Sequence, residues 1–305
     1  MSALVVPSLG DVRKCARGAL SLAGAADTLP VPLADVEAAI GLHPAEDLYL
    51  AGDDVPPRYA ALLRKIRSAP SRVLGALGFG HDVIYLDPEL SHHRRRFTHG
   101  HELGHKAMPW HQGAYYLDDD ATLDPRARAE LEREANAFAA ELLFGVDRFT
   151  EMTDSRGVSL AVPLELSTRF ATSGHAAMRH YVAHASRPIA LLALGKIKKY
   201  RGAQPSLTVF DTQCVESDSF RDRYGQVTDL FPDHLALADY RFAVRAVELS
   251  TGLDEVQTEV ALDTKRGTVT FLAECATLRL HFVLLRPRPR LALHRPHVQV
   301  VHRPR

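Results

Sequence analysis

The stretch SHHRRRFTHGHELGHKAMP, Ser91 to Pro109, decides how the first part of this chain folds and what it can hold. Its spacing predicts a helix from about Ser91 to Met108, ended by Pro109, which has no N–H to continue the hydrogen-bond ladder. Within it, HELGH sets His101 and His105 four residues apart. On a helix both imidazoles leave from one face, where they can share a single metal ion. Glu102, the next residue, is rotated by about 100° and can face a metal-bound water rather than ligate the metal. Zinc lowers the pKa of such a water towards neutrality, and a carboxylate beside it can take the proton as the water attacks a carbonyl. Gly104 allows a second backbone to approach closely.

A catalytic zinc site takes three protein ligands, and two residues compete for the third place. His111 follows His105 by six residues, the spacing of HExxHxxGxxH, but Met108 stands where that pattern has a glycine to turn the chain. The other candidate lies on the next predicted helix, DPRARAELEREANAFAAELLF, opened at Asp124-Pro125 and ending near Phe144. There Glu132 and Asn136 share a face, so one can coordinate while the other supports a ligating imidazole by a hydrogen bond. Glu134 is expected to point elsewhere. Taken alone, the segment also reads as an amphipathic core helix, with Leu131, Ala135, Phe138, Ala139 and Leu142 on one face.

RRRFTHGHELGH (94–105), followed 27 residues later by EREANAFAAELL (132–143), closely resembles the ImmA/IrrE metallopeptidases, whose pattern is roughly RFTxAHExGH and then ExxANxFAAxLLMP. The resemblance implies a gluzincin-like domain binding one zinc ion through His101, His105 and Glu132, with Glu102 as general base. Two positions depart from the pattern: Gly100 replaces an alanine, and Phe144-Gly145 replaces Met-Pro. Leu29-Pro30 and the strands before the RFT segment fit the family's N-terminal part. Residues 162–185 resemble the helix-turn-helix-like segment of the longer, radiation-response members, and residues 200–285 are compatible with their GAF-like domain. Family members cut a helix-turn-helix (Cro/CI-like) repressor encoded nearby, relieving repression under stress, so such a repressor is the implied substrate.

The expected fold is α+β. A peptidase domain spans 1–155, a helical segment 156–188, an α+β sensory or docking domain 189–285, and a basic Arg/Pro tail 286–305. Short helices are predicted over 8–26, 32–41, 57–68, 162–170 and 174–185, and strands over 72–79 and 82–86. After Pro188 the pattern turns to strands at 189–194, 206–210, 256–262, 268–273 and 277–285, with one helix near His234–Ala243.

Apolar residues make up 46% of the 305, an ordinary composition for a chain with substantial cores. No apolar run reaches the ~18 residues of a membrane helix, and the start MSALVVPSLGDVRK is not a signal peptide. Cys15, Cys214 and Cys275 are too scattered for a disulfide framework or a thiolate zinc site, so a reducing cytoplasm is the simplest location. Six arginines, three histidines and no acid occupy the last twenty residues, leaving 31 basic against 37 acidic residues in the body. That acidic body argues against direct nucleic-acid binding over a broad face, and the tail reads as a solvated, extended end.

Other residues are weighed by type. Tyr115, Tyr116, His111, Arg179 and Tyr181 are candidate oxyanion donors. His180 and His184, also four apart, lack a third ligand and are expected on a polar helix face; His92, His93 and His99 are expected to face solvent or acidic partners. A function of another class is a non-proteolytic, zinc-containing transcriptional regulator acting through its C-terminal domain. Structural zinc normally has four protein ligands, and the three found here favour catalysis.

Overall fold

The computed structural model describes residues 9–44, 75–78, 83–87, 89–112, 124–200, 206–210, 212–231, 235–236, 240–249, 251–254 and 257–288. The helix expected over 57–68, Tyr115, Tyr116 and the tail from 289 onward lie outside these residues. The chain divides into two compact units, Met1–Ala185 and Ser186–Arg305. Among the described residues no helix is long and apolar enough to cross a membrane. The three cysteines are free.

In the first unit α1 (Leu9–Leu22) and α2 (Leu33–Ala39) precede a small sheet of β1 (His43–Pro44), β2 (Gly75–Gly78) and β3 (Val83–Leu86). β3 is central, parallel to β1 and antiparallel to β2. The helices that follow are α3 (His92–Ala107), α4 (Pro125–Leu143), α5 (Arg148–Asp154), α6 (Ala161–Arg169) and α7 (Gly174–Ala183). α4 begins as the sequence suggests. The Asp124 side chain accepts from the amides of Arg126 (2.8 Å) and Ala127 (3.3 Å), and Pro125 occupies the first turn, where no N–H is needed.

α3 lies directly on α4 because it turns glycine towards it. A Cβ added at Gly104 would sit 3.0 Å from the Phe138 ring, and one at Gly100 3.3 Å from Ala139 Cβ. Phe138, Ala135 and Leu142 of α4 join Leu103 and Met108 with Val12, Ala16 and Leu20 of α1 in one apolar core. Arg13 of α1 reaches Glu141 (3.1 Å) and Asp147 (2.5 Å), tying α1 to the C-terminal end of α4.

His180 departs from expectation. It is 6% exposed, stacked on Phe144 with centroids 4.1 Å apart and planes 18° from parallel, and Phe149 meets it edge-on. The apolar side of α7 carries Ala177, Met178 and Tyr181, and His180 falls within that stripe, so packing buries it as an aromatic ring. His184 lies 3.4 Å from Glu141. His99 pairs with the buried Glu37 at 2.8 Å, the acidic neighbour being one of the two surroundings expected for it.

In the second unit, the main sheet comprises β4 (Ala190–Leu194), β7 (Gln213–Glu216), β9 (Gly252–Leu253), β10 (Thr258–Thr264), β11 (Gly267–Thr277) and β12 (His281–Pro287). The order is β10-β11-β12-β4-β7, with β9 added to β11, and every pairing is antiparallel. β5 (Lys196–Tyr200), β6 (Ser206–Phe210) and β8 (Leu235–Ala236) form a second sheet. Between β7 and β8 runs α8 (Asp218–Tyr224), capped by Ser217. The helix expected near His234–Ala243 is instead α9, Arg241–Glu248. Leu235 pairs with Val209 as strand, while Phe242, Ala243 and Ala246 form the buried stripe of α9. The helix register follows that stripe, not the alanines before it. A core of Leu192, Leu194, Phe220, Phe242, Phe271 and Val283 belongs to this unit alone.

Candidate metal centre

α3 and α4 bring His101, His105 and Glu132 together, with one ligand atom from each within 4.8 Å of the others. The Nε2 atoms of His101 and His105 are 3.1 Å apart. Glu132 Oε2 lies 3.3 Å from His101 Nε2, and its Oε1 lies 3.8 Å from His105 Nε2. Ligand atoms ~2.0–2.1 Å from a tetrahedral zinc stand about 3.3–3.4 Å from one another. The observed separations bracket that value, and two imidazoles with one carboxylate are a known donor set for catalytic zinc. The residues fit the ion.

Electrostatics agree with the geometry. Burial pulls the His101 pKa down, but the hydrogen bond to Glu132 and the charges of Glu102 and Glu132 outweigh it, and the net shift is upward. Glu132 is held below the usual carboxylate range, chiefly by the His101 hydrogen bond. Carboxylate and imidazole here already favour a shared positive charge, which a dication supplies. His105 is pushed down to about 3 by burial and by the neighbouring His101 and His111, so its ring is neutral and its nitrogen lone pair available. Glu102 is 7% exposed, and burial, with Glu132 adding to it, pushes it up to about 7. A carboxyl poised near neutrality can accept and return a proton.

Behind the cluster, His101 Nδ1 lies 3.1 Å from Asn136 Oδ1, so Asn136 supports a histidine as its place one turn after Glu132 suggested. His111 is not brought to the ligand face. It is fully buried, its Nδ1 lies 2.9 Å from His105 Nδ1, the ring nitrogen turned away from the cluster, and burial pushes its pKa down to about 4. That position rules out both roles considered for it, third ligand and oxyanion donor. Glu134 does point away from Glu132, as helical spacing requires, but it arrives at His111: its Oε2 is 2.9 Å from His111 Nε2 and accepts from Trp110 Nε1 at 2.7 Å. Sequence reasoning missed this contact, because it joins residues 23 positions apart that no local pattern relates. Tyr181, another candidate oxyanion donor, is buried at 5% exposure.

Residues 63–179 match the family model of the IrrE N-terminal-like domain, Peptidase M78. The matched segment contains both motifs, and over that part of the chain it supports the resemblance to the ImmA/IrrE metallopeptidases as a peptidase-family domain. A solved structure described as a Mycobacterium tuberculosis transcriptional regulator is similar at 13% identity over 90% of this chain and 86% of that one, with a TM-score of 0.48. No curated protein matches the chain.

Proposed function

We propose that this chain is a zinc-dependent, site-specific metalloendopeptidase that cuts a helix-turn-helix (Cro/CI-like) transcription repressor and so relieves repression in a stress response. The observation that carries the chemistry is the convergence of His101 Nε2, His105 Nε2 and the Glu132 carboxylate beside a buried Glu102. The gluzincin-like arrangement rests on the same set: two histidines one helical turn apart and a glutamate from a second helix.

His101, His105 and Glu132 would hold the zinc, which when bound supplies Lewis acidity towards a carbonyl and acidifies water. The three protein donors found among the described residues leave a fourth position for reactants, which supports catalysis over a structural role. Glu102 neither needs nor uses a ligand position. Its carboxylate takes the proton of the attacking water and returns it to the departing amine, and its burial keeps that oxygen basic at neutral pH. Asn136 holds His101 by its Nδ1 and keeps Nε2 turned towards the cluster. The choice of a repressor as substrate follows from the family, and the second unit, with its antiparallel sheet and a helix over β11 and β12, is proposed to sense or dock in a GAF-like manner.

The test incubates the purified full chain with a repressor encoded beside it, with and without chelator, next to Glu102→Gln. Cleavage that chelator and Glu102→Gln both abolish is the expected result. Full-rate cleavage by Glu102→Gln overturns the mechanism, and stoichiometric zinc with no repressor cut favours the non-proteolytic regulator.

A further inference from the structure

The two site histidines are held from behind by different means. Asn136 offers His101 an amide oxygen, whereas His105 has a second imidazole, His111, at 2.9 Å. A neutral imidazole carries a single N–H, so the contact between two Nδ1 atoms requires one to donate and the other to accept. Which one donates is set further back. The Glu134 carboxylate is an acceptor, and it faces His111 Nε2 at 2.9 Å while also accepting from Trp110. His111 therefore carries its proton on Nε2 and leaves Nδ1 bare. His105 must then carry its proton on Nδ1, and its Nε2, the atom facing His101 and Glu132, is unprotonated. The opposite assignment would place the His105 proton on the ligand nitrogen and confront Glu134 with a ring nitrogen that has nothing to donate.

We propose that His111 and Glu134 are positioning residues that fix the His105 tautomer, so that its Nε2 is ready for metal before metal arrives. The inference rests on the reading of His105 as a zinc ligand. Its physical basis is burial: His111 is 0% exposed and Glu134 7%, so water does not offer His105 a competing acceptor. Among the described residues Glu134 Oε1 has no hydrogen-bond partner, and the carboxylate's contacts there are those of Oε2 to His111 and Trp110. A partner that orients a ligating histidine commonly contributes ten- to a hundredfold to metal affinity.

The experiment measures zinc affinity of the full chain by competition with a chromophoric chelator, in wild type, His105→Ala, His111→Phe and His111→Asn. Phenylalanine fills the space without an acceptor, whereas the asparagine Oδ1 stands close to where Nδ1 was. His111→Phe is expected to bind zinc about 10–100-fold more weakly, with His111→Asn recovering most of the loss. A second readout needs no variant: ¹⁵N NMR of the imidazoles in zinc-loaded wild type should show His111 protonated on Nε2 and His105 on Nδ1. An affinity of His111→Phe within about threefold of wild type, well under the expected range, overturns the proposal. So does a His111→Asn as weak as His111→Phe, or a His111 protonated on Nδ1. Failure of wild type to bind zinc, or unchanged binding by His105→Ala, overturns the metal-site reading itself and is told apart because it shows in proteins with His111 intact.

Discussion

His111 and Glu132 are rivals for the third ligand place, and the sequence leans to Glu132, because Met108 stands where the His111 pattern has a glycine and the second motif carries Glu132. The structure sets a Glu132 oxygen 3.3 Å from His101 Nε2 and His111 against the far nitrogen of His105. Replacing Glu132 with Ala is expected to abolish stoichiometric zinc binding at micromolar protein, measured by metal analysis after gel filtration. A variant that still carries one zinc per chain would return the third position to another group. The alignment of His101 and His105 on one helix face was legible in five letters of sequence, since helical periodicity alone brings them together. Glu132 became legible only through the second motif, and the His111–Glu134 contact not at all, because no local pattern relates residues 23 positions apart. His180 was misjudged for a related reason: a polar letter in a buried stripe is counted as surface. Its burial carries a pH signature. The folded-state pKa lies well below the ordinary 6.5 because burial disfavours the charged ring. The unfolded chain therefore binds the proton more readily, and the stability that neutral His180 contributes above ~6.5 is lost as pH falls below it. The wild-type melting temperature should drop between pH 7.5 and 5.5, and His180→Phe, which keeps the stack on Phe144, should drop less. The difference is limited to about 1.4 kcal/mol per pH unit for one proton. His105, His111 and His175 shift in the same direction, so the comparison of slopes, not the wild-type slope, is the measurement; parallel slopes would refute the assignment.

At the scale of elements, the site is set by how closely α3 can lie on α4. Gly104 faces the Phe138 ring where a Cβ would stand at 3.0 Å, and Gly100 faces Ala139 at 3.3 Å. Alanine at either position gains up to about 1 kcal/mol of helix propensity. At Gly104 the methyl meets a fully buried ring held on all sides, so Gly104→Ala should be net destabilising by about 1–3 kcal/mol and should weaken zinc binding by moving Glu132 away from the histidines. At Gly100 a shift of a few tenths of an ångström against a small side chain is enough, so Gly100→Ala should be close to neutral. Chemical denaturation of the two variants, with zinc affinity alongside, checks the contrast; equal effects would mean that the glycines are not what sets the helix spacing. The cap of α4 is read from sequence with little loss, because Asp-Pro acts through its own backbone amides. Elements defined by their tertiary partners were harder. α9 begins later than the periodicity suggested because the sheet residues that receive Phe242, Ala243 and Ala246 come from β11 and β12, far along the chain.

At the scale of the molecule, two units with separate apolar cores would make the proposed zinc a local stabiliser. His101, His105 and Glu132 all belong to Met1–Ala185, and the core they rest on runs through α1, α3 and α4. The second core, around Phe242, Phe271 and Val283, contains no residue of that set. A ligand that binds only the folded form stabilises what it binds by RT ln(1 + [L]/Kd), about 2.7 kcal/mol at a hundredfold excess over Kd. That free energy belongs to the cooperative unit whose opening destroys the site. Removing zinc with chelator should therefore speed amide hydrogen exchange through α3 and α4, and through α1, whose Val12, Ala16 and Leu20 pack in the same core. Exchange in β11, β12 and β4, which pair with one another in the second unit, should stay as it was. Exchange followed by mass spectrometry on the whole chain reports both units in one sample. A chelator effect of equal size in β11 and β12 would mean that the two units open together, and the zinc site would then be coupled to the part of the molecule proposed to sense.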